Sequence, residues 1–480
     1  MASVEMGVDL STLLTIVASG DSEQIIAAAL EHMQQGEAPD VLLGRVAMVA
    51  AHGDPDGHVV TTLAAAAMLA RYIRTIPPSL DTTKLIQERA LPLFVQALLV
   101  AVPAVRAGLR APKEYPEPYF PSGLPEGKTM NDMMHQAVYG NDALLAERLL
   151  LGLYGTGADY RTMQVRAYEG IATTFQNAGH PLIFAVRGFQ ALDTVEWGDR
   201  APNIIHWLAP HLPLHPDTDE PDWVKTVRTF AEDPPHSLHS LRTRLSTPKD
   251  ENALPLRRLI LSGANTTEVC QGVYEALLLN GASPKGVGSV IALAASDVIQ
   301  MVGDDDRDLF VRASHGLLFS AATRLVFQQV QDVEALTLLF TSATYVNMLH
   351  KSIAEHQGTT QPDLPSTAHK GIGGGLIGIA QLEALGTQLQ ERDFSDALTT
   401  AQRYQSLGHD QRALFGTIGI AAGLTDAVAD QGHTLQIVQA ASEEYLAWPT
   451  ALAKTNIEGF LRVALRAAAY GRHHDLVSRL

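Results

Sequence analysis

The stretch GHPLIFAVRG, Gly179 to Gly188, opens on a small residue followed by histidine and continues with apolar residues at helical spacing. Pro181 is the residue expected at a first helical position, which puts His180 at or beside an N-cap. The same opening recurs at Gly57-His58, Ser314-His315 and Gly432-His433. Two residues after each histidine stand Val60, Leu182, Leu317 and Leu435; eight after it stand Ala66, Gly188, Thr323 and Ala441, small every time. Such self-similarity marks a repeat array with one imidazole per unit at an equivalent place.

Upstream of each histidine lie two more helical patterns. The first comprises GDSEQIIAAALEHMQQG, GNDALLAERLLLGLYG, GANTTEVCQGVYEALLLNG and RDFSDALTTAQRYQSLG, read as closing at Gly36, Gly155, Gly281 and Gly408. An acidic or hydroxyl residue near the start and a terminal glycine are helix start and stop signals. The second is Ala-rich and suits an inner layer, as in VGSVIALAASDVI from Val287. Unit three has a longer interval before its histidine, which the acidic MVGDDDRDLF, residues 301–310, supplies as a loop or helix extension. A fourth segment, such as RALPLFVQALLVAV, completes each unit, and Pro-rich connections join the units at 112–128, 213–252 and 356–371. No segment alternates like a strand. The expectation is an all-α chain: a four-fold helical repeat, about four helices per unit, forming a solenoid or a closed α/α toroid-like array. Units one and two fill residues 1–215 and units three and four residues 216–480, as one continuous array.

At 480 residues and 46% hydrophobic content the chain can bury a large core. Its formal charge of −17 disfavours a nucleic-acid partner, because phosphate binding needs a concentrated basic surface. Cys270 is the single cysteine, which excludes an intrachain disulfide, a cysteine-ligated zinc finger and an iron–sulfur cluster on this chain's own thiolates. A cytoplasmic setting fits. The opening MASVEMGVDLSTLL lacks the features of a signal peptide, and the apolar run Leu91 to Val105 is short for a bilayer span and holds Pro92, Gln96 and Pro103. A soluble chain with no membrane partner is expected.

If the array curves or closes, His58, His180, His315 and His433 converge. A helix N-terminus disfavours imidazolium, so neutral rings there are able to ligate a metal such as iron, manganese or zinc, with Asp54, Asp56 and Glu169 as further candidates. In the bland alternative each histidine donates to a backbone carbonyl of a neighbouring unit. His52, across a GDPDG turn from His58, is either an exposed loop residue or a catalytic general base. His206, His211 and His215 lie among prolines and read as solvent loop; His236 and His239 share a helix spacing but lack an acidic partner for a zinc motif. GIGGGLIG, residues 371–378, has neither the strand nor the GK[ST] of a phosphate loop, and a GxSxG elbow is missing.

HPLIFAVRGFQALDTVEWGDRAPNIIHWLAPHL (180–212), the PDW at 221–223 and RASHGLLFSAATRLVF (312–327) resemble a helical repeat region of bacterial Rieske-associated proteins. The HPLI element is also similar to histidine-bearing repeats of questin oxidase-like proteins, oxygenases of aromatic polyketide metabolism. The likeness spans much of residues 10–470. It implies oxygenase chemistry on a hydrophobic small molecule, with the four repeat histidines as metal ligands and iron, another divalent metal or none as the cofactor. No Rieske cysteine–histidine pairs are present, so electrons would come from a separate partner. Ser314 and Arg324 stand where further histidines would be expected, which leaves the metal open. The rival expectation is a non-catalytic helical scaffold that binds a protein on a concave surface.

Overall fold

The computed structural model describes residues 10–78, 87–157, 160–215, 220–233, 236, 248–329, 333–357 and 375–471. Among them are 21 α-helices and no β-strand. They fall into four blocks of five: α1 (Leu10–Ser19), α2 (Ser22–Gln34), α3 (Pro39–Ala50), α4 (His58–Ile73) and α5 (Leu91–Gly108); then α6 (Met130–Tyr139), α7 (Ala143–Gly155), α8 (Tyr160–Ile171), α9 (His180–Val195) and α10 (Ala201–Leu208). After a separate α11 (Asp222–Glu232) come α12 (Leu254–Ile260), α13 (Thr266–Tyr274), α14 (Pro284–Gln300), α15 (Arg307–Gln329) and α16 (Thr337–Gln357). The last block is α17 (Gly375–Gln390), α18 (Phe394–Ser406), α19 (Gln411–Gly423), α20 (His433–Leu446) and α21 (Glu458–Tyr470). Each unit thus holds one helix more than the four expected, because α1, α6, α12 and α17 lie in front of the recognised pattern.

Local chemistry sets the boundaries. The first recognised helix of every unit is capped by an Asx side chain: Asp21, Asp142, Asn265 and Asp393 each accept a first-turn N–H. Left-handed glycines follow the helices at Gly36, Gly281 and Gly408. In unit two that role belongs to Gly157 and not Gly155, which is still the last residue of α7.

The four histidine-bearing helices make a closed circuit: α4 packs on α9, α9 on α15, α15 on α20 and α20 on α4. α9, α15 and α20 run the same way, since their histidines meet and, two to three turns further on, Arg187 and Arg324 pair with Glu443 and Glu444. At three of the four helix pairs a glycine before the histidine makes the close contact. A Cβ at Gly57 would lie 2.4 Å from Phe184, one at Gly179 2.3 Å from Phe319, and one at Gly432 1.9 Å from Thr62 Oγ1. Phe184, Phe319 and Thr62 occupy one equivalent position, four residues after the histidine of the next unit in cyclic order. All three glycines also have positive φ, 76–86°. Unit three departs from this. α15 begins at Arg307, so Ser314 and His315 lie inside a helix rather than at its start, and Ser314 Oγ donates back to Phe310 O. The acidic insertion is therefore a helix extension, capped where Asp306 accepts from Leu309 N.

α5 also corrects an expectation. Pro92 sits in its first turn and Pro103 lies on an exposed side, so neither breaks it, and Glu88–Gly108 is long and apolar enough by composition to cross a membrane. Its most apolar window is 67% buried within the protein, against α1, α2, α3, α4 and α19.

Gly432→Ala combines left-handed strain with overpacking against Thr62 and is expected to cost about 2–4 kcal/mol. Gly36→Ala, with open space around its Cβ, suffers strain alone and should cost about 1 kcal/mol. Denaturation midpoints check the order; equal losses would contradict the packing role of Gly432.

Candidate metal centre

The circuit brings the four repeat histidines onto one axis. Ring centroids are 5.0 Å apart for His58 and His180, 5.0 Å for His180 and His315, 5.2 Å for His315 and His433, and 5.3 Å for His433 and His58. Each imidazole therefore touches the one before and the one after it. Ligand nitrogens of His58, His180 and His433 all lie within 4.8 Å of one another. His315, the member whose helix starts two turns early, stands outside that tight trio.

Every ring is oriented by its own backbone. His58 Nδ1 bonds Asp56 O at 2.9 Å, His433 Nδ1 bonds Asp430 O at 2.6 Å, His315 Nδ1 bonds Val311 O at 2.9 Å, and His180 Nδ1 bonds Asn177 O. A carbonyl only accepts, so Nδ1 carries a hydrogen, and in the neutral ring this leaves the lone pair on Nε2. The carbonyls belong to the histidine's own turn, not to a neighbouring unit as the bland alternative had it. Two of those turns are built from left-handed residues, Asn177, Ala178 and Gly179 in unit two and Gln431 and Gly432 in unit four.

Burial disfavours the charged form of three of these rings. It pushes His180 down to about 3 and His315 to about 4, with smaller contributions from the neighbouring histidines, and it lowers His58 as well. Imidazoles that present Nε2 in this way are a donor set suited to zinc, copper, iron or nickel. Phe184 packs against both His58 and His180 and, on its other side, against Trp207 and His211. Burial likewise pushes His211 down to about 4.

The candidate carboxylates are otherwise engaged. Asp54 is buried and accepts from Val60 N and Trp207 Nε1, tying the start of α4 to α10. Asp56 has an exposed side chain and contributes its carbonyl to His58; Glu169, on α8, pairs with Arg166. His52 is neither exposed loop nor part of the ring. It sits half-buried in a single turn after α3, with Nε2 2.8 Å from Asn203 Oδ1 and its ring stacked on His206 at 5.3 Å. Tyr115 OH donates to the same Asn203 oxygen at 3.0 Å.

His206 and His211 are not in a solvent loop, because Pro202 and Pro210 fall at tolerated helix starts. His206 Nδ1 pairs with Glu147 at 2.7 Å, which raises its pKa. His215 is exposed. His236 stacks on Phe230 at 4.0 Å, whereas His239 and Gly371–Gly374 lie outside the described residues.

One group of residues was missed from sequence. Arg187, Arg324, Glu443 and Glu444, together with Gln436 and Gln439, are buried inside the circuit on the far side of the ring from the helix starts. The signal was present as charged residues seven to eleven positions after the histidines in otherwise apolar helices.

Comparison with known protein families, curated proteins and solved structures gives no match.

His180 and His315 have folded-state pKa values far below the 6.5 of the free side chain. Their stabilising contribution is therefore complete above about pH 6.5 and lost as pH falls toward 4 and then 3. The denaturation midpoint of the metal-free chain should fall steadily across that window; a flat profile would contradict neutral, buried rings.

Proposed function

We propose that this chain is an oxidoreductase, a metal-dependent oxygenase acting on a hydrophobic small molecule, with His58, His180, His315 and His433 as the metal ligands. The observation that carries this reading is the meeting of four imidazoles on one axis, each with Nδ1 committed to a carbonyl of its own turn. The four units would close around that axis as an α/α toroid-like array, a reading supported by the packing of α4 on α9, α9 on α15, α15 on α20 and α20 on α4.

A metal held by three or four imidazoles keeps positions for substrate or oxygen and supplies Lewis-acid or redox chemistry when bound. Iron is the favoured ion because imidazole suits it and the proposed reaction is oxidative. This chain's own residues would orient and exclude water: the Phe184 ring lies across His58 and His180, and Trp207 and His211 extend that aromatic wall. With one cysteine the sequence holds no Rieske cysteine–histidine pairs, so electrons would be delivered by a separate partner. A non-catalytic scaffold would have no use for convergent rings, and its histidines would be expected in separate seams between units.

Protein purified without chelators is expected to hold about one metal ion per chain and to show a ligand-field or charge-transfer absorption. His58→Ala, His180→Ala and His433→Ala should each weaken metal retention by more than the roughly 10–100-fold lost when a supporting hydrogen bond is removed. Elemental analysis and metal titration check this. A chain that binds no metal, or that binds it equally after all three substitutions, would overturn the reading.

A further inference from the structure

α4 and α20 begin on left-handed glycines, Gly57 and Gly432, which have no side chain to cap the first turn. A carboxylate from the preceding turn does so instead. Asp54 Oδ2 accepts from Val60 N at 2.9 Å, and Asp430 Oδ2 accepts from Thr434 N at 3.0 Å and from Thr434 Oγ1. These are the turns whose carbonyls, Asp56 O and Asp430 O, hold the Nδ1–H of His58 and His433. The carboxylate that caps the helix therefore also fixes the direction in which the carbonyl points.

Both carboxylates are gripped from another unit. Trp207 Nε1 of α10 donates to Asp54 Oδ2 at 3.2 Å. On Asp430 the donor is Arg307 of α15, whose Nη2 lies 3.2 Å from Asp430 Oδ2 and 2.6 Å from Thr434 Oγ1. Thr434 Oγ1 accepts from the arginine and donates to the carboxylate, so one hydroxyl joins the two. Arg307 is the first residue of α15, in the extension that precedes His315, and its guanidinium is seated over the Phe310 ring of the same helix, 5.4 Å from the centroid. As a fastener between helices this ion pair contributes little, because Arg307 Nη1 and Asp430 Oδ1 are buried with no protein partner. Its geometry serves the turn instead: among the described residues, each hydrogen bond of the guanidinium ends on Asp430 or Thr434, on either side of His433.

We propose that Arg307 is a positioning residue of the histidine ring. It acts through Asp430 and Thr434 on His433, so that the extension of unit three sets the aim of unit four's imidazole. With the carboxylate held, the turn keeps Gln431 and Gly432 in the left-handed region, at φ 54° and 76°, and Asp430 O stays 2.6 Å from His433 Nδ1. Once released, Gln431 returns to an ordinary conformation, because a non-glycine residue is strained there, and the carbonyl turns away from the ring. The consequence for metal affinity rests on the metal-centre reading; the orientation of the imidazole belongs to the metal-free chain.

Nitrogen-15 spectroscopy of the histidine side chains in the metal-free, full-length chain, followed by zinc titration, tests this. In Arg307→Leu the Nδ1–H of His433 should exchange with solvent about tenfold faster, the rate equivalent of losing one hydrogen bond to a charged group, while those of His58 and His180 keep their wild-type rates. Zinc affinity should fall by about 10–100-fold. Arg257→Leu supplies the comparison for a purely structural loss. It breaks the buried pair with Asp297, 2.6 Å from Arg257 Nε to Asp297 Oδ2, which makes no bond to a ring turn, so it should lower the denaturation midpoint and leave His433 exchange and zinc affinity unchanged. Should Arg307→Leu fail to fold, Thr434→Val removes the shared hydroxyl with every charge intact and should speed the same exchange. Wild-type exchange at His433 in Arg307→Leu or, where that chain does not fold, in Thr434→Val overturns the proposal, as does equal acceleration in Arg257→Leu. Faster exchange at His433 in a chain that binds no zinc keeps the positioning role and sinks the metal centre, whereas zinc binding that depends on the ring histidines, with unchanged exchange, sinks the positioning role alone.

Discussion

Each ring histidine donates its Nδ1 proton to a carbonyl of the turn that carries it, and the remainder of the centre depends on that bond. It selects one tautomer, fixes the ring plane and leaves Nε2 as the available donor. Four imidazoles with centroids about 5 Å apart could not all be charged, because like charges at that distance in a buried setting repel strongly. Neutrality is a condition of the packing. The helices reinforce it, since α4, α9 and α20 present their positive N-terminal ends to the ring.

The four-fold pattern is broken in one unit, with a consequence for the site. Units one, two and four enter the ring through a left-handed glycine, and their histidines begin a helix. In unit three the helix runs through, and His315 reaches back to Val311 O within α15. Three rings consequently make the tight ligand group and the fourth stands beside it. The extension before His315 makes one of the four positions distinct.

Much of the architecture was legible because helix punctuation is local. The Asx caps and terminal glycines report backbone conformations that few other residues adopt, so α2, α7, α13 and α18 could be placed from single residues. The convergence of His58, His180, His315 and His433 was expected from their repeated place. What stayed hidden was non-local. The partners of Gly57, Gly179 and Gly432 lie in other units, and nothing in the chain around Gly432 points to Thr62. His52 looked like a loop residue because Asn203 and Tyr115, which hold it, are distant in sequence. The Arg187–Glu443 and Arg324–Glu444 pairs were not legible because their partners lie on different helices far apart in sequence.

Long-range proton–nitrogen correlation spectroscopy of the histidine rings in the metal-free chain at neutral pH addresses the central claim most directly. The expected result is that His58, His180 and His315 appear as neutral Nδ1–H tautomers, and that the Nε2 resonances of the four ring histidines alone move when one equivalent of zinc is added. Imidazolium signals or Nε2–H tautomers from those three, or Nε2 resonances indifferent to zinc, would contradict it.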